Sequence, residues 1–374
     1  MRIVYVISHL IYGGAETQMI GLSRELVRMG HAVVIYTLNR ENPRAGELAG
    51  SGVQVVADQK RMKLDPAVIM RLRRFVRAYQ ADVVHSFLFD ADVYARIAGI
   101  GLGIPVFNSE RNDDYQLNFL QRLIHRPTRN LARAVIANSQ SGARFAQGLF
   151  GFPADRVHCV WNGVDLARID QHVKGCVQNY RDEFFGDSSV KVACLVGSIK
   201  PQKDYFLAMQ VAEALLQPHP NWRVLFIGDQ LTNTGEYKSS VMAAYQGLRS
   251  KAHIHFAGLR KDVAEIMSQC DAVFSTSFHE GFPNVVLEAM SAGTPVVSTA
   301  YSDIEQILPY SWQVIPDRDA EKMAQAIVRA GSERAGVVPT QRLWVETHAT
   351  LAVSAQNLLK TYGVYAKNSE IDFT

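Results

Sequence analysis

Cysteines are few in this chain, and long apolar runs are missing from it. The four cysteines, Cys159, Cys176, Cys194 and Cys270, are scattered without a C-x-x-C pair, which argues against a zinc site and against a disulfide framework. No apolar run approaches the roughly 20 residues that a membrane-spanning helix needs. The first segment, residues 1–7, is short and runs into polar residues, so it predicts a strand and not a signal peptide. Together these absences favour the reducing cytoplasm.

The dinucleotide fingerprint G-x-G-x-x-G is missing as well. The glycine pair Gly13-Gly14 follows the first predicted strand but lacks that spacing, which argues against an oxidoreductase. No cluster of histidines and cysteines has the spacing of metal ligands. We therefore expect neither a metal nor a cofactor.

Length and charge bound the organisation of the chain. Its 374 residues exceed what one hydrophobic core usually holds, so two domains are expected. The 48% hydrophobic and 20% charged residues are typical of a globular protein. Residues 1–165 contain 20 Lys and Arg against 14 Asp and Glu, whereas the remainder is mildly acidic. The basic first half suggests an anionic partner, although ordinary variation between solvated surfaces would give the same counts.

Short buried strands alternate with amphipathic helices in two series, which predicts an α/β fold. The first series has predicted strands at residues 2–7, 32–37, 53–56, 82–85, 105–108, 134–137 and 157–160. The second series has predicted strands at residues 190–196, 223–227, 253–256, 271–275 and 295–299. The polar stretch 166–189 between the two series is interpreted as a linker or hinge.

One stretch of the second series combines a loop, a helix and a strand with two glutamates. The loop residues before the helix are Gly281, Phe282, Pro283 and Asn284. Pro283 suits the first helical turn, and the N–H groups and dipole of a helix start favour an anion. Glu280 and Glu288 could accept hydrogen bonds from vicinal hydroxyls. Phosphate and sugar together suggest a nucleotide sugar; the alternative is an ordinary surface helix with two solvated glutamates.

The run E-G-F-P-N-V-V-L-E-A-M, from Glu280 onwards, resembles the signature of the retaining glycosyltransferases of family four, glycosyl transferases group 1. The resemblance covers nearly the whole chain. It implies the GT-B architecture, in which two Rossmann-like domains face each other across a cleft and the C-terminal helix crosses back to the first domain. The implied domains are 1–170, completed by about 350–374, on the acceptor side, and 185–345, which would bind the nucleotide sugar.

The resemblance implies catalytic and donor-binding roles in the second domain. Glu280 would hold hydroxyls of the transferred sugar and Glu288 those of the ribose. Lys203 and the backbone N–H groups within residues 281–284, where Pro283 has none, would stabilise the charge that develops on the departing diphosphate.

The loop that contains Lys203 departs from the family pattern at one position. Lys203 matches the lysine of the usual Gly-Arg-Leu-x-x-x-Lys-Gly, but Ser198 stands where that pattern has arginine. Lys200 could supply the missing positive charge. The alternative for Lys203 is a solvated lysine at a helix start. Arg260 lies in a segment that resembles the family's base-binding one.

In the first domain the resemblance is less complete. Gly13 and Gly14 resemble the family's N-terminal loop, which lies over sugar and phosphates; a tight packing turn is the alternative. His85, at the end of a predicted strand, could donate to a substrate hydroxyl, although a capped structural histidine is the more common case. Many members have Thr-x-His at the end of the next strand, where this chain has residues 108–113. Glu110 and Arg111 could replace that contact.

The activity implied is transfer of a hexose from a UDP- or GDP-linked donor to a hydroxyl of a saccharide or lipid-linked acceptor, in cell-envelope or exopolysaccharide synthesis. It would proceed with retention and without a metal. Two alternatives stay open: a sugar-nucleotide epimerase of the GT-B fold, and an inactive relative that binds nucleotide or sugar. The donor is a substrate, so no cofactor is expected, and no nucleic-acid partner is expected either.

Basic amphipathic segments in the first half suggest a location at the inner face of a membrane. Residues 117–129 mix Phe and Leu with Arg, and residues 71–77 contain four arginines. Such stretches can lie on an anionic membrane surface. The alternative is core packing with a solvated basic face.

Overall fold

The structure is a computed structural model that describes residues 1–62, 64–111, 119–229 and 235–365. The chain divides into two compact units. Unit 1 comprises Met1–Gly163 and Thr350–Thr374, and unit 2 comprises Val164–Ala349. Each unit is a Rossmann-like layer of parallel strands and helices, as the alternating pattern predicted.

Unit 1 opens with a regular alternation of strands and helices. Its elements up to residue 159 are β1 (Arg2–Ile7), α1 (Gly14–Arg28), β2 (Ala32–Thr37), β3 (Gln54–Ala57), α2 (Pro66–Tyr79), β4 (Val83–Phe87), α3 (Phe89–Ala98), β5 (Val106–Glu110), α4 (Phe119–Thr128), β6 (Ala134–Ala137), α5 (Gln140–Phe150) and β7 (Val157–Cys159).

The strands of unit 1 form one parallel sheet in the order β3-β2-β1-β4-β5-β6-β7. In the centre, Val4 of β1 is in register with Val34 of β2 and Val84 of β4. Because helices cover both faces, these central strands are buried along almost their whole length and are mostly apolar. The strand order reverses next to β1, and the carboxyl edge at such a switch point is where open α/β sheets bind ligands.

Unit 2 continues the alternation. Its elements are α6 (Leu166–Gly175), α7 (Tyr180–Phe185), β8 (Lys191–Val196), α8 (Tyr205–Leu216), β9 (Trp222–Ile227), α9 (Gly235–Gln246), β10 (Ile254–Phe256), α10 (Val263–Gln269), β11 (Ala272–Ser275), α11 (Asn284–Ser291), β12 (Val296–Thr299), α12 (Ile304–Ile307), β13 (Val314–Ile315), α13 (Ala320–Ser332) and α14 (Arg334–His348).

The sheet of unit 2 is parallel in the order β10-β9-β8-β11-β12-β13. Its core lies between the sheet and helices α8 and α13, where Leu215, Phe226, Phe274 and Ile327 are almost completely buried. The last helix, α15 (Leu351–Tyr365), packs against α1 and buries Tyr362 in the core of unit 1. The C-terminal helix therefore returns to the first domain, as the resemblance implied.

The twelve predicted strands are confirmed to within two residues at each end, whereas the predicted linker was wrong. Residues 166–189 contain the two helices α6 and α7. Their starts are specified by caps, since the side chain of Asp165 accepts from the Arg168 N–H (3.0 Å) and that of Asn179 from the Asp182 N–H (3.2 Å). The two-residue strand β13 was also missed. None of the helices in the described ranges is long and apolar enough to cross a membrane.

Candidate functional site

The end of β8 is shaped by a close approach of two strand ends. Gly228, which follows β9, has φ of +131°, and a Cβ there would lie 2.2 Å from the carbonyl oxygen of Gly197. A Cβ on Gly197 would in turn lie 2.9 Å from Cε of Lys203. Glycine is therefore required at position 228, and the small Gly197 leaves room for the stem of Lys203 to fold back across the end of β8.

A single turn of 3-10 helix, Pro201–Lys203, leads from this edge into α8. Asp204 caps α8 by accepting from the Leu207 N–H (3.1 Å). The turn and the cap fix the backbone on both sides of Lys203, so its ammonium group is held at the carboxyl edge of the sheet.

The loop after β11 is fastened to the loop that contains Lys203. The Thr276 hydroxyl donates to the carbonyl of Lys203 (2.7 Å), and the Phe278 N–H donates to the carbonyl of Gln202 (2.9 Å). The Gln202 amide returns a hydrogen bond to the carbonyl of His279 (2.6 Å). These bonds hold the two loops together side by side.

Lys203 and Glu280 meet at the centre of these two loops. The Lys203 ammonium contacts Oε1 of Glu280, and the Ser277 hydroxyl donates to the same oxygen at 2.9 Å. The two side chains are only 14% and 15% exposed, so the pair is screened much less than a surface ion pair. Two residues singled out at different places in the sequence thus form one charged pair.

The start of α11 lies directly after Glu280. Phe282, in the loop before the helix, is buried (4% exposed). Pro283 stands one residue before the helix, not in its first turn, and makes no side-chain hydrogen bond; the first turn contains no acidic residue. The positive end of the helix dipole is therefore not offset by a carboxylate of the first turn.

Glu288 and Lys200 complete the charged group. Burial raises the pKa of Glu288 to about 7, against the opposing effect of the positive charges of Arg168 and Lys203. Burial lowers the pKa of Lys200, with Glu280 opposing and Lys203 reinforcing that change. Lys203 thus acts electrostatically on both glutamates and on the second lysine. Ser198 lies half-buried in the same loop, one residue after Gly197.

Arg260 has a different environment. Its guanidinium donates to Asp262 (2.6 and 2.8 Å) and to Glu183 (2.8 Å), and it lies 5.3 Å from the ring centre of Phe184. These contacts join the loop before α10 to α7. Base binding by Arg260 stays a prediction.

In unit 1 the glycine pair lies where α1 begins. Gly13 precedes the helix and Gly14 is its first residue. The carboxylate of Glu16 folds back over this turn, since a Cβ on Gly13 would lie 2.3 Å from Glu16 Oε2. Burial raises the pKa of Glu16, opposed by its own backbone N–H and by Arg44. The chain's own carboxylate thus occupies this helix start, and donor contact by Gly13 and Gly14 stays a prediction.

His85 lies in the interior of unit 1. Its ring is fully buried, with Nδ1 2.5 Å from the Tyr362 hydroxyl and Nε2 2.7 Å from the Ser109 hydroxyl. Burial also lowers the pKa of His85 well below its ordinary value. Both nitrogens have partners inside unit 1, which favours the capped structural histidine, and donation to a substrate hydroxyl stays a prediction.

The strand end that departs from the family pattern is also built into the interior. Asn108 accepts from Arg96 Nε (2.7 Å) and donates to the Ser86 hydroxyl (2.6 Å). Arg111 donates to Asn162 (2.7 Å) and to the Ser109 hydroxyl (3.1 Å). Burial lowers the pKa of Arg111 to about 10. Residues 112 and 113 lie outside the described part of the chain.

Helix α4 presents an apolar and basic surface. Phe119 and Leu123 are 83% and 59% exposed, and Arg122 and Arg126 are exposed beside them. On the inner side, His125 is buried and its Nδ1 lies 3.0 Å from Arg96 Nη1. The helical part of segment 117–129 is therefore amphipathic as expected. Residues 63, 117 and 118 and the side chain of residue 120 lie outside the described part.

Two family models match the chain in tandem. The model described as Glycosyltransferase Family 4 matches residues 12–168, and that described as Glycosyl transferases group 1 matches residues 190–332. The chain belongs to the family-four, group 1 glycosyltransferases. The Lys203–Glu280 pair and α11 all lie within the group 1 match.

Curated relatives of this glycosyltransferase differ in their donors. It is 25% identical over 360 residues to the GDP-mannose:cellobiosyl-diphosphopolyprenol alpha-mannosyltransferase of Xanthomonas campestris, covering 88% of this chain and 87% of the relative. It is 21% identical over 286 residues to the UDP-Gal:alpha-D-GlcNAc-diphosphoundecaprenol alpha-1,3-galactosyltransferase of Escherichia coli, covering 72% and 71%. The match spans only 40% of an uncharacterized glycosyltransferase of Methanocaldococcus jannaschii and 52% of a D-inositol 3-phosphate glycosyltransferase of Mycobacteroides abscessus.

Solved structures confirm the fold. A glycosyltransferase from Rickettsia africae superposes with a TM-score of 0.83 at 15% identity, over 98% of this chain and 99% of that one. Anabaena HepE in complex with UDP superposes with a TM-score of 0.79 at 20% identity, over 96% and 99%. At these identities the likeness establishes the fold alone, which is that of the GT-B glycosyltransferases.

Two residues that contact the site, Ser277 and Arg318, were not predicted from the sequence. Ser277 carries no motif, although its hydroxyl donates to Glu280. Arg318, far along the chain after β13, contacts both loops of the Lys203–Glu280 pair. No local signal in the sequence identifies Arg318. In the described residues, no group of three or more His, Cys, Asp or Glu side chains is arranged to hold a metal ion.

Proposed function

We propose that this protein transfers a hexose from a UDP- or GDP-linked donor to a hydroxyl of a saccharide or lipid-linked acceptor, with retention of configuration. The observation that carries the proposal is the largely buried Lys203–Glu280 pair, whose glutamate lies shortly before the start of α11. The ammonium of Lys203 and the positive end of the α11 dipole suit the phosphates of a donor molecule, and the carboxylate of Glu280 can accept hydrogen bonds from the hydroxyls of its sugar.

In the proposed reaction, the bond from the anomeric carbon to the diphosphate breaks as the acceptor oxygen bonds to that carbon from the same face. The acceptor proton passes to the departing diphosphate oxygen. Lys203, Lys200 and the start of α11 would stabilise the negative charge that grows on the diphosphate. Because Lys203 pairs with Glu280, a donor phosphate that competes for Lys203 would leave Glu280 able to accept from sugar hydroxyls.

The donor class and the acceptor class are supported by the relatives. The Xanthomonas relative is named for GDP-mannose, the Escherichia relative for UDP-Gal, and HepE was solved with UDP. Both enzyme names specify a saccharide on a polyprenol diphosphate. We infer a lipid-linked saccharide acceptor, in cell-envelope or exopolysaccharide synthesis. The positive charge for the diphosphate is supplied by Lys203, Lys200 and α11, so transfer should persist in EDTA.

The first test is nucleotide binding followed by product analysis. A nucleoside diphosphate at about 100 times its dissociation constant should add about 2.7 kcal/mol to stability, so UDP, GDP, dTDP and ADP are compared by thermal denaturation. Donors of the stabilising base are then assayed for transfer. Conversion of the donor sugar without an acceptor would support an epimerase, and no shift with any diphosphate would support an inactive relative.

The second test addresses the charged pair. Lys203→Ala and Glu280→Ala should each lower kcat by about 100-fold or more, because an interaction made at the reacting centre is lost. Lys322→Ala is the matched control, since Lys322 pairs with Asp317 in the same unit but is 60% exposed. Near-normal rates in folded Lys203 and Glu280 variants would refute a catalytic role for these two residues.

A location at the inner face of a membrane is proposed from α4. The exposed Phe119 and Leu123 beside Arg122 and Arg126 suit the interface of an anionic bilayer. Sedimentation with phosphatidylglycerol vesicles should exceed that with phosphatidylcholine vesicles and fall in a Phe119→Ser/Leu123→Ser variant. Leu343→Ser is the control, because Leu343 is 62% exposed on unit 2. Equal sedimentation of all forms would refute the location.

A further inference from the structure

Arg318 contacts the loops of both Lys203 and Glu280 from a third loop, between β13 and α13. Its φ of +57° is in the left-handed region, which is unfavourable for an arginine and persists only where surrounding contacts determine the conformation. The side chain is 25% exposed. Since the backbone of Arg318 is strained and its guanidinium is largely buried, the contacts of this side chain must compensate for the strain.

The guanidinium of Arg318 contacts three consecutive residues of the loop after β11. Nη1 donates to the carbonyl of Ser277 (3.0 Å), and Nη2 donates to the carbonyl of Thr276 (2.9 Å). Its central carbon lies 3.8 Å from the ring centre of Phe278. These residues lie two to four positions before Glu280, so the hydrogen bonds of Arg318 and its stacking on Phe278 together fix the backbone that leads to that glutamate.

The same guanidinium also donates a hydrogen bond to the loop that contains Lys203. Nη2 donates to Oδ2 of Asp204 at 2.5 Å. Asp204 directly follows Lys203, caps α8 through its other oxygen, and has itself a left-handed φ of +45°. One arginine thus joins the residue after Lys203 to the residues before Glu280.

We propose that Arg318 is a positioning residue that sets the relative placement of Lys203 and Glu280 for sugar transfer. The inference rests on the proposed function. In this role Arg318 acts through its contacts with the two loops. A lysine cannot replace it, because one ammonium group cannot hold two carbonyls and a carboxylate in one plane while it stacks on a ring.

The test compares Arg318→Ala and Arg318→Lys with Arg329→Ala. Arg329 is a matched control, because it also stacks on an aromatic ring (Trp312, 4.5 Å) and donates to a carboxylate (Glu333, 2.8 Å) in unit 2. Arg318→Ala should lower kcat about 100-fold while the donor KM changes by less than about threefold, since misplacement by about 1 Å can have an effect of that size. Arg318→Lys, which keeps the charge and so the fold, should lower kcat about tenfold, and Arg329→Ala should be normal.

A double-mutant cycle separates positioning from a general structural role. If Arg318 acts through the charged pair, Arg318→Ala should lower the rate of a Lys203→Ala protein by less than about threefold. Multiplicative losses in the double variant, or an Arg318→Lys enzyme with full kcat, would overturn the proposal. If the unmutated protein transfers no sugar from any donor, the proposed function fails and this role fails with it, whereas an active protein with indifferent Arg318 variants refutes positioning alone.

Discussion

Glu288 should make the protein less stable as pH rises, and replacing it should remove that loss. Burial raises its pKa from 4.5 to about 7. Between these values the folded protein holds a proton that the unfolded chain has released, so the stabilising effect is complete below pH 4.5 and is lost as pH rises through 7. Since one pKa unit corresponds to about 1.4 kcal/mol, the total loss is at most about 3 kcal/mol.

Glu288→Gln mimics the protonated side chain at every pH. Relative to the unmutated protein, it should therefore gain up to about 3 kcal/mol between pH 4.5 and 8. Urea denaturation followed by tryptophan fluorescence measures this gain, in a Trp161→Phe background that leaves tryptophans only in unit 2. Glu305→Gln is the control, because Glu305 is exposed on the surface of the same unit.

Two results test the raised pKa of Glu288 and its proposed contact with the donor ribose separately. An unchanged pH dependence in Glu288→Gln would refute the raised pKa. If donor ribose hydroxyls bind the ionised carboxylate, saturating nucleotide should shrink the difference between the two proteins, because the ligand then favours the charged form. A difference that nucleotide leaves intact would separate Glu288 from the donor while leaving its pKa as described.

Two further predictions concern unit 1. His85→Phe should lower the unfolding free energy by about 2–4 kcal/mol, because the hydroxyls of Tyr362 and Ser109 lose a buried partner. The kcat of the folded variant should stay within about threefold of that of the unmutated enzyme. A large loss of kcat without a loss of stability would support a catalytic role for His85. Leu88→Gly should raise the unfolding free energy by about 1 kcal/mol, because Leu88 has φ of 72° and ψ of 151°, a conformation open almost only to glycine. Little packing is lost with the side chain, which is 41% exposed. An unchanged or lower unfolding free energy would refute backbone strain at Leu88.

The sheets could be predicted from the sequence because both are parallel. Strands covered on both faces are apolar along their length, so each stands out between polar loops. Helices α6 and α7 could not be recognised in the same way. They are short and mostly polar, with fully exposed Val177 between them, and they depend on side-chain caps and on packing against α10. Periodicity is weakest where capping and tertiary packing determine the structure.

The candidate site was predictable only where its residues are close in the chain. Glu280, α11 and Glu288 form one local run, and Lys203 follows β8 at a spacing that can be read directly. His85 could not be judged in this way, because its burial depends on Tyr362, which is 277 residues away. Arg318 lies 114 residues from Asp204. Contacts at such separations have no signature in the residues themselves.

The structure nevertheless identifies the same region by a criterion independent of any motif, namely features that stability alone disfavours. Of the five non-glycine residues with positive φ in the described ranges, Asp204, Ser302 and Arg318 all contact the loop around Glu280 or its neighbours. A half-buried carboxyl with a raised pKa, Glu288, lies on the helix that follows. Each feature costs about 1–3 kcal/mol. Their concentration at the ends of β8, β11, β12 and β13 argues that unit 2 maintains this region for binding and chemistry and not for folding.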